Sequence, residues 1–561
     1  MMFKQFIILN SILFFASISN AQIQSQKSIK ETLISYAYNN IDKAIRHYKI
    51  LKKDNSKQYN FNDKNELNNL GYQLMNDGRV DDAIKIFQLL VFEFPNDFNG
   101  YDSLGEAYYM NENYEKAVIN YQKSLDLNPK NTNAERFITK IKFENRDKNK
   151  FYKIYTKQQY LDDLYELAHS LTTVNPHPYK SISKEEFWKV VEDKKDLITD
   201  KTTYAEFIWH CSELVANINC GHSAIPMYFQ QESEMLPDTL RFPMELSYID
   251  NRLYVIDPLI NKNQVKVGIE IFSINGKSSF EIIEDIFKHT SSQGKVENPA
   301  KRHLFNGRAT AMVPYSLGFP KEYEVIIKGR QEPIFLKMLD EYTFQFKSLR
   351  TCKDAFCFNF INENIALLTI NHWDFYGNKF HILQKFIDDS FEEINKKMPK
   401  NLIIDVRGNG GGNSWGAAHV LQYLVKTPFT YFKVAPLNDS KLQPLKPFKT
   451  TYKGNVYFLT DGRSGSTTGQ LLALAKHHNL GTLIGEESNG GIFYTGGQQM
   501  FCLKNTNVFY LVGRFTHIND VDSISQERGV QPHHYSVRTI EDWLNGIDTT
   551  LKYTLELINK E

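Results

Sequence analysis

Cysteine is scarce, 5 in 561 residues, so disulfides cannot build this fold. Charge of either sign is not in excess. Lys+Arg 66 against Asp+Glu 65 leaves a net charge of +1, with no overall field to draw nucleic acid or anionic lipid. Glycine (30) and proline (18) are too few for a collagen-like or Pro/Gly-rich disordered chain. Beyond the first two dozen residues no apolar run approaches the roughly 20 residues that a membrane span needs. What is present is globular: 42% hydrophobic and 13% aromatic residues. At about 100–200 residues per domain, the length suits three or four domains.

The first segment has the grammar of an address. Lys4, the apolar run Phe6–Ala16 interrupted by Asn10 and Ser11, and the small residues Ser19-Asn20-Ala21 predict a secretory signal peptide over residues 1–21. The protein is then exported, to periplasm or medium. Export permits disulfides. Cys211/Cys220 and Cys352/Cys357 are close enough in sequence to pair, leaving Cys502 over, and buried thiols are the alternative. No pair has zinc spacing, and no metal site is expected.

An internal repeat follows. Leu70-Gly71 recurs as Leu104-Gly105, Ala83 as Ala117, Phe87 as Tyr121 and Pro95 as Pro129, each shifted by 34. This period resembles the tetratricopeptide repeat, a helix–turn–helix unit. Flanking helices around Ala44/Tyr48 and Ala134–Lys142 are expected to cap the pair, giving a helical domain over 22–145. It would serve as a protein-binding surface or as a spacer.

Helices are expected at Tyr160–Thr173, Lys184–Leu197 and Thr203–Asn217, forming a helical domain over 151–235. From about Leu236 the period turns strand-like, at Leu240–Leu246, Leu253–Ile256, Ile269–Ile274 and Tyr323–Ile327, with a helix at Ser279–Lys288. The run Val267–Gly276 resembles a stretch of PDZ domains, which take extended peptides on a sheet edge; an Asn-Gly hairpin turn explains the same residues. The PDZ-like domain would span 236–345. The last part, 346–561, alternates strands (Ile365–Ile370, Leu402–Val406, Val456–Leu459, Leu483–Gly485, Val508–Val512) with helices (Lys379–Lys397, Ser414–Leu424, Thr467–His478, Glu541–Ile558), which is α/β grammar.

Two strand-to-helix junctions can carry chemistry. After Leu402–Val406 comes Arg407-Gly408-Asn409-Gly410-Gly411-Gly412, whose bare amides could face an oxyanion or a phosphate. A P-loop needs Lys-Ser/Thr next, and Asn413-Ser414 stands there instead, so nucleotide binding is disfavoured. After Val456–Leu459 comes Asp461-Gly462-Arg463-Ser464-Gly465-Ser466-Thr467, which sets serines at a turn ahead of a helix. The strict Gly-x-Ser-x-Gly elbow is missing, and either serine alone would serve equally as a helix cap. Asp405 and Arg407 read as braces of the glycine turn, and His477-His478 as helix surface. No cofactor motif is present.

Taken in order, Asn175-Pro-His-Pro-Tyr179, Cys220-Gly-His-Ser223, Ile403–Gly412, Ser464–Thr467, Ile484-Gly-Glu486 with Asn489-Gly-Gly491, and Arg528-Gly-Val-Gln-Pro532 resemble the secreted tail-specific (C-terminal-processing) and tricorn-core serine peptidases. The resemblance implies a multidomain α plus α/β chain with a PDZ-like insert and a crotonase-like ββα core. It implies Ser466 as nucleophile, 19 residues before Gly485, and an oxyanion hole from Gly410 or Gly411 with Thr467. Members with a Ser-Lys dyad carry lysine 25 residues after the serine; that position is Gly491 here, and Glu486–Gly497 contains no lysine. The tricorn-type base corresponds to His222. Its orienting carboxylate falls on Gln526 by strict alignment and on Glu527 after a one-residue shift, while His533 stands where Asp is usual. The implied activity is an exported serine endopeptidase acting on peptide or protein substrates. The alternative is an inert peptide-binding scaffold using the repeats and the PDZ-like domain.

Overall fold

The computed structural model describes residues 26–225, 236–296, 298–343, 351–436 and 444–560; the expected signal peptide lies outside them. Two compact units are present, Met1–Arg146 and Asp147–Glu561.

The first unit is a run of helices from Ile29–Asn39 to Thr132–Glu144. Its 34-residue period has a packing cause. Gly71 lies against the Phe87 ring, where a Cβ would come within 2.5 Å, and Gly105 lies in the same way against Tyr121, at 2.9 Å. Each small–large pair lets two helices approach closely. Helix starts repeat too: Asp63 and Asp97 each accept a backbone N–H at the first turn. The expected flanking helices are Ile41–Asp54 and Thr132–Glu144.

The second unit opens with three helices, Lys157–Val174, Lys184–Leu197 and Tyr204–Asn217. Each starts in a reciprocal capping box, Thr156/Gln159, Ser183/Glu186 and Thr203/Glu206. An antiparallel sheet follows, from β1 (Glu245–Ile249), β2 (Arg252–Asp257), β3 (Glu270–Ile274), β4 (Lys277–Ser278), β5 (Glu324–Ile327) and β6 (Ile334–Phe335). Its order is β1-β2-β3-β5-β6, with β4 on β3. Asn275 and Gly276, at φ 46° and 78°, make the two-residue turn from β3 to β4. The strand expected at Leu240–Leu246 begins only at Glu245. Asp238–Leu240 is a 3-10 turn held by the buried Arg241, which pairs with Asp238.

The outer edge of β1 is capped at Tyr248, and the chain ahead of the strand is held as well. The Asn306 side chain accepts the Tyr248 N–H (2.7 Å) and donates to the Tyr248 carbonyl (3.4 Å), and the Phe242 N–H bonds the Thr310 carbonyl. The helix Ala309–Ser316, buried along its whole length, packs against β1 and the helix Ser279–Lys288.

The third region holds a sheet in the order β17-β12-β11-β9-β8-β7, made of β7 (Phe356–Asn362), β8 (Ile365–Ile370), β9 (Asn401–Asp405), β11 (Asn455–Thr460), β12 (Thr482–Gly485) and β17 (His534–Tyr535). All pairings are parallel except β7–β8. Alternate side chains go to opposite faces. Leu368, Leu402, Ile404 and Phe458 meet the helices Phe380–Lys397, Ser414–Gln422 and Thr467–His477. Leu367, Ile403, Tyr457 and Ile484 are covered by the helix Thr549–Ile558. Burial on both faces explains the unbroken apolar runs. The sequence reading missed β7, and the helix expected over Glu541–Ile558 is two, Ile540–Leu544 and Thr549–Ile558, parted at Gly546 with φ 66°. Beside this sheet lie the ribbons β10 (Phe432–Val434), β16 (Phe515–Asn519) and β13 (Phe493–Gly496), and β14 (Gln499–Cys502) with β15 (Phe509–Val512). The strand expected at Val508–Val512 is thus β15, outside the main sheet. Cys352 and Cys357 form a disulfide, whereas Cys211 and Cys220 are buried thiols and Cys502 is unbridged.

Gly105→Val places a branched side chain against the Tyr121 ring, and overpacking of this kind costs about 1–3 kcal/mol. Thermal unfolding of the variant is expected to show a transition at lower temperature than wild type, while Gly78→Ala, with nothing near its Cα to meet the added methyl, loses only what its positive φ demands.

Candidate active site

β9 and β11 are neighbours in the parallel sheet, so the turns leaving their carboxyl ends lie side by side. The first turn is pinned from below. The buried Arg407 guanidinium bonds Asp405 (2.8 Å) and Asp548 (2.6 and 2.8 Å), the cap of the helix Thr549–Ile558. Burial alone would favour its discharge, but the two carboxylates outweigh this and hold its pKa well above the usual value. The Gly408 N–H meets both oxygens of Asp461 at 2.9 Å, which ties the first turn to the second. Ser464 is buried and spent on structure, its Oγ donating to the Val406 carbonyl (3.0 Å) and accepting the Asp461 N–H (3.1 Å).

Ser466 differs. It precedes the helix Thr467–His477 with φ 51° and ψ −125°, a conformation that a non-glycine residue adopts only under constraint, and its side chain makes no capping bond. Gly411, at φ 112°, lies directly beside it; a Cβ there would come 2.5 Å from the Ser466 Cβ. The Gly411 N–H donates to Asn409 Oδ1 (3.0 Å), whereas Gly410 faces open space. Thr467 opens the helix, so its N–H has no partner within it. Trp373 staples the two turns. Its N–H bonds the Gly411 carbonyl (3.1 Å), its carbonyl accepts the Asn413 N–H, and its indole N–H donates to Thr468 Oγ1 (2.9 Å).

His222 comes from the other side of the unit. After the helix Tyr204–Asn217, Asn219 takes φ 51° and reverses the chain. Ala224 then exchanges two hydrogen bonds with Leu511 of β15, at 3.2 and 2.7 Å. The Tyr494 ring stands at 89° to the imidazole, and Gln498 Nε2 donates to the His222 carbonyl (3.0 Å). The result is His222 Nε2 at 3.1 Å from Ser466 Oγ, between residues 244 positions apart. Burial, with the His517 ring adding to it, lowers the His222 pKa to about 4. Nδ1 is sealed and has no hydrogen-bond partner among the described residues.

Neither expected orienting side chain reaches that Nδ1. Glu527 points outward to Lys295 (2.7 Å), its backbone carbonyl taken by the Lys295 N–H, and Gln526 accepts from Lys180 (3.2 Å). His533 Nδ1 accepts the Leu483 N–H on the sheet (2.9 Å), away from the serine–histidine pair. Trp373, Tyr494 and Gln498 were not singled out from the sequence, since an isolated aromatic or amide carries no spacing signal. Asn409 lay inside the quoted glycine motif and its role follows from the turn. Among the described residues no cluster of His, Cys, Asp or Glu could hold a metal ion.

A hydroxyl at a strained helix entry, an imidazole on it and glycine amides beside it are the parts of a serine hydrolase on a ββα core. Comparison with known proteins narrows the class: residues 364–536 match peptidase family S41, and residues 98–131 match the tetratricopeptide repeat. The chain is 25% identical over 254 residues to the carboxy-terminal processing protease CtpB of Bacillus subtilis (strain 168), covering 44% of this chain and 45% of that protein. It thus spans about half the length of that curated relative. Mature CPAF shares the fold with a TM-score of 0.51 both alone (11% identity) and complexed with lactacystin (12%), over 72% of this chain and 98% and 99% of those chains. Residues 364–536 are therefore similar to a serine peptidase domain of family S41, and a segment similar to the tetratricopeptide repeat precedes them in the chain.

Because the folded imidazole binds protons less readily than an unfolded histidine, it withdraws stability as pH falls from about 6.5 towards 4 and has no effect above that window. NMR titration of His222 should give a midpoint near 4 in the folded protein. Gly411→Ala, strained at φ 112° and crowding Ser466, is expected to slow fluorophosphonate labelling by about 100-fold or more.

Proposed function

We propose that the protein is an exported serine endopeptidase that cleaves peptide bonds through an acyl-enzyme on Ser466, with His222 as general base. The observation that carries this reading is the 3.1 Å approach of His222 Nε2 to Ser466 Oγ at a strained helix entry beside Gly411. As Oγ bonds to the substrate carbonyl carbon, its proton passes to Nε2. The carbonyl oxygen becomes an oxyanion facing the amides of Gly410 and Thr467, Gly411 being committed to Asn409. Collapse expels the amine, which takes the proton from His222, and water then repeats the sequence on the ester. For Nε2 to accept, the ring proton must sit on Nδ1, where no described acceptor waits. A base near 4 is neutral throughout the neutral range but accepts protons weakly, so modest turnover is expected. On this reading the pair acts without Glu527 or Gln526 as an orienter.

Export is supported by the Cys352–Cys357 disulfide, a bond that persists in oxidising compartments. Among the described residues no helix is long and apolar enough to cross a membrane. The repeats would hold a protein partner or substrate. For the reading of an inert scaffold, the insert's sheet offers less free edge, because the Asn306 side chain caps Tyr248 on the outer side of β1.

The test is a fluorophosphonate probe together with β-casein hydrolysis. Wild type should label and cleave, Ser466→Ala should do neither, and His222→Ala should lose at least about 1,000-fold. Undiminished labelling of Ser466→Ala would remove that residue as nucleophile. The labelling rate of wild type should hold through mild acid and fall only as pH nears about 4, the base being active when neutral.

A further inference from the structure

Base and nucleophile sit on turns that belong to different regions, so something must set their separation. The segment Thr290–Gln293, after the insert helix Ser279–Lys288, is buried and runs between them. Gln293 Oε1 accepts the N–H of Gly221, the residue before the base, at 3.0 Å. Its own N–H donates to Asn489 Oδ1 at 2.9 Å. Asn489 in turn donates its N–H to the carbonyl of Ser464, two residues before the nucleophile, at 2.9 Å, and Asn489 bridges Gly465. The next residue continues the contact: the Gly294 N–H bonds the Asn219 carbonyl at 2.8 Å. Gly221, Gln293, Asn489 and the Ser464–Ser466 turn therefore form one hydrogen-bonded path, which the His222–Ser466 contact closes into a ring.

We propose that Gln293 is a positioning residue that registers His222 against Ser466. It touches neither substrate nor the reacting atoms and acts through the Gly221 amide on one side and Asn489 on the other. The other anchors of the histidine turn, Ala224 on Leu511 and Gln498 on the His222 carbonyl, tie it to the β14–β15 ribbon and not to the serine turn. Gln293, with the Gly294 N–H on the Asn219 carbonyl beside it, is what links the turn to the nucleophile, and Gln293 does so next to the base itself. An amide fits this place because one side chain must accept an N–H in a buried setting without bringing a charge beside a base that works when neutral.

This inference rests on the serine-peptidase reading, and its test separates the two. Gln293→Met keeps the length and volume and removes the acceptor; Gln293→Glu keeps an acceptor oxygen. With the fluorophosphonate probe, Gln293→Met should lower the maximal inactivation rate about 10- to 100-fold, with the probe's half-saturating concentration within about 2-fold of wild type. Gln293→Glu should recover most of that rate, with its acid limb moved to higher pH by the added carboxylate. Amide hydrogen exchange over residues 217–225 should quicken in Gln293→Met and stay near wild type in Gln293→Glu. If Gln293→Met does not fold, Asn489→Ala cuts the same path from the other side and should show the same split. Wild-type rates in the Met variant, equal losses in Met and Glu, or unchanged exchange over 217–225 would each overturn the proposal. A wild-type protein that neither labels nor cleaves would defeat the peptidase reading, while the exchange comparison would still decide whether Gln293 holds the histidine turn.

Discussion

Two backbones that approach more closely than side chains permit are the constraint on which the rest depends. The turn after β9 reaches the turn after β11 at Gly411 and Ser466, where one added carbon would leave no room. Parallel strands deliver both turns to the same end of the sheet, as open α/β layers generally do. Around that contact the chain spends most of its buried polar groups on holding position. Asp461 gathers the amides of Gly408, Arg463 and Ser464, Trp373 bonds both sides, and Arg407 fixes the first turn to the sheet's far face. The buried Arg407 charge is paired with two carboxylates and the Asp461 carboxylate is met by backbone amides, the condition under which burying charge is tolerable.

The imidazole arrives differently. It is carried by a short turn whose attachments are single hydrogen bonds and one antiparallel bridge, against Tyr494 on one side. A sealed Nδ1 without a carboxylate leaves the ring neutral over a wide range and gives it little thermodynamic reason to take a proton. The two halves of the site thus follow opposite strategies: a rigid, multiply bonded serine turn and a lightly tethered histidine.

Much of this was legible from residues alone, and where it was not the reasons are physical. Leu402–Val406 and Ile365–Ile370 are buried on both faces and therefore read as unbroken apolar runs, within one residue of β9 and β8. The helix Ser279–Lys288 was readable to the residue because Ser278 and Glu281 form a capping box ahead of an apolar stripe. β7 was missed because an edge strand needs only one apolar face; Phe356, Phe358 and Phe360 alternate with Cys357 and Asn359, and its other face is half open. The break at Gly546 was passed over because the amphipathic pattern resumes beyond it. Ser466 and His222 were named from motif order, and only the family's 19-residue spacing to Gly485 separated Ser466 from Ser464, since both serines sit at the same turn. In the fold Ser464 is buried and bonded to the Val406 carbonyl, whereas Ser466 makes no capping bond. Gln293 and Trp373 are single residues far away in sequence, and only tertiary structure gives them meaning.

The tie between Arg407 and Asp548 bears on the order in which the molecule is made. A nascent chain that has emerged only as far as the Ile540–Leu544 helix already contains the serine, the histidine and every glycine of the turn. It still lacks Asp548, one of the two carboxylates on Arg407, and the helix that covers Leu367, Ile403 and Tyr457. The glycine turn is therefore braced from both carboxylates, and the far face of the sheet is covered, only once the closing helix is present.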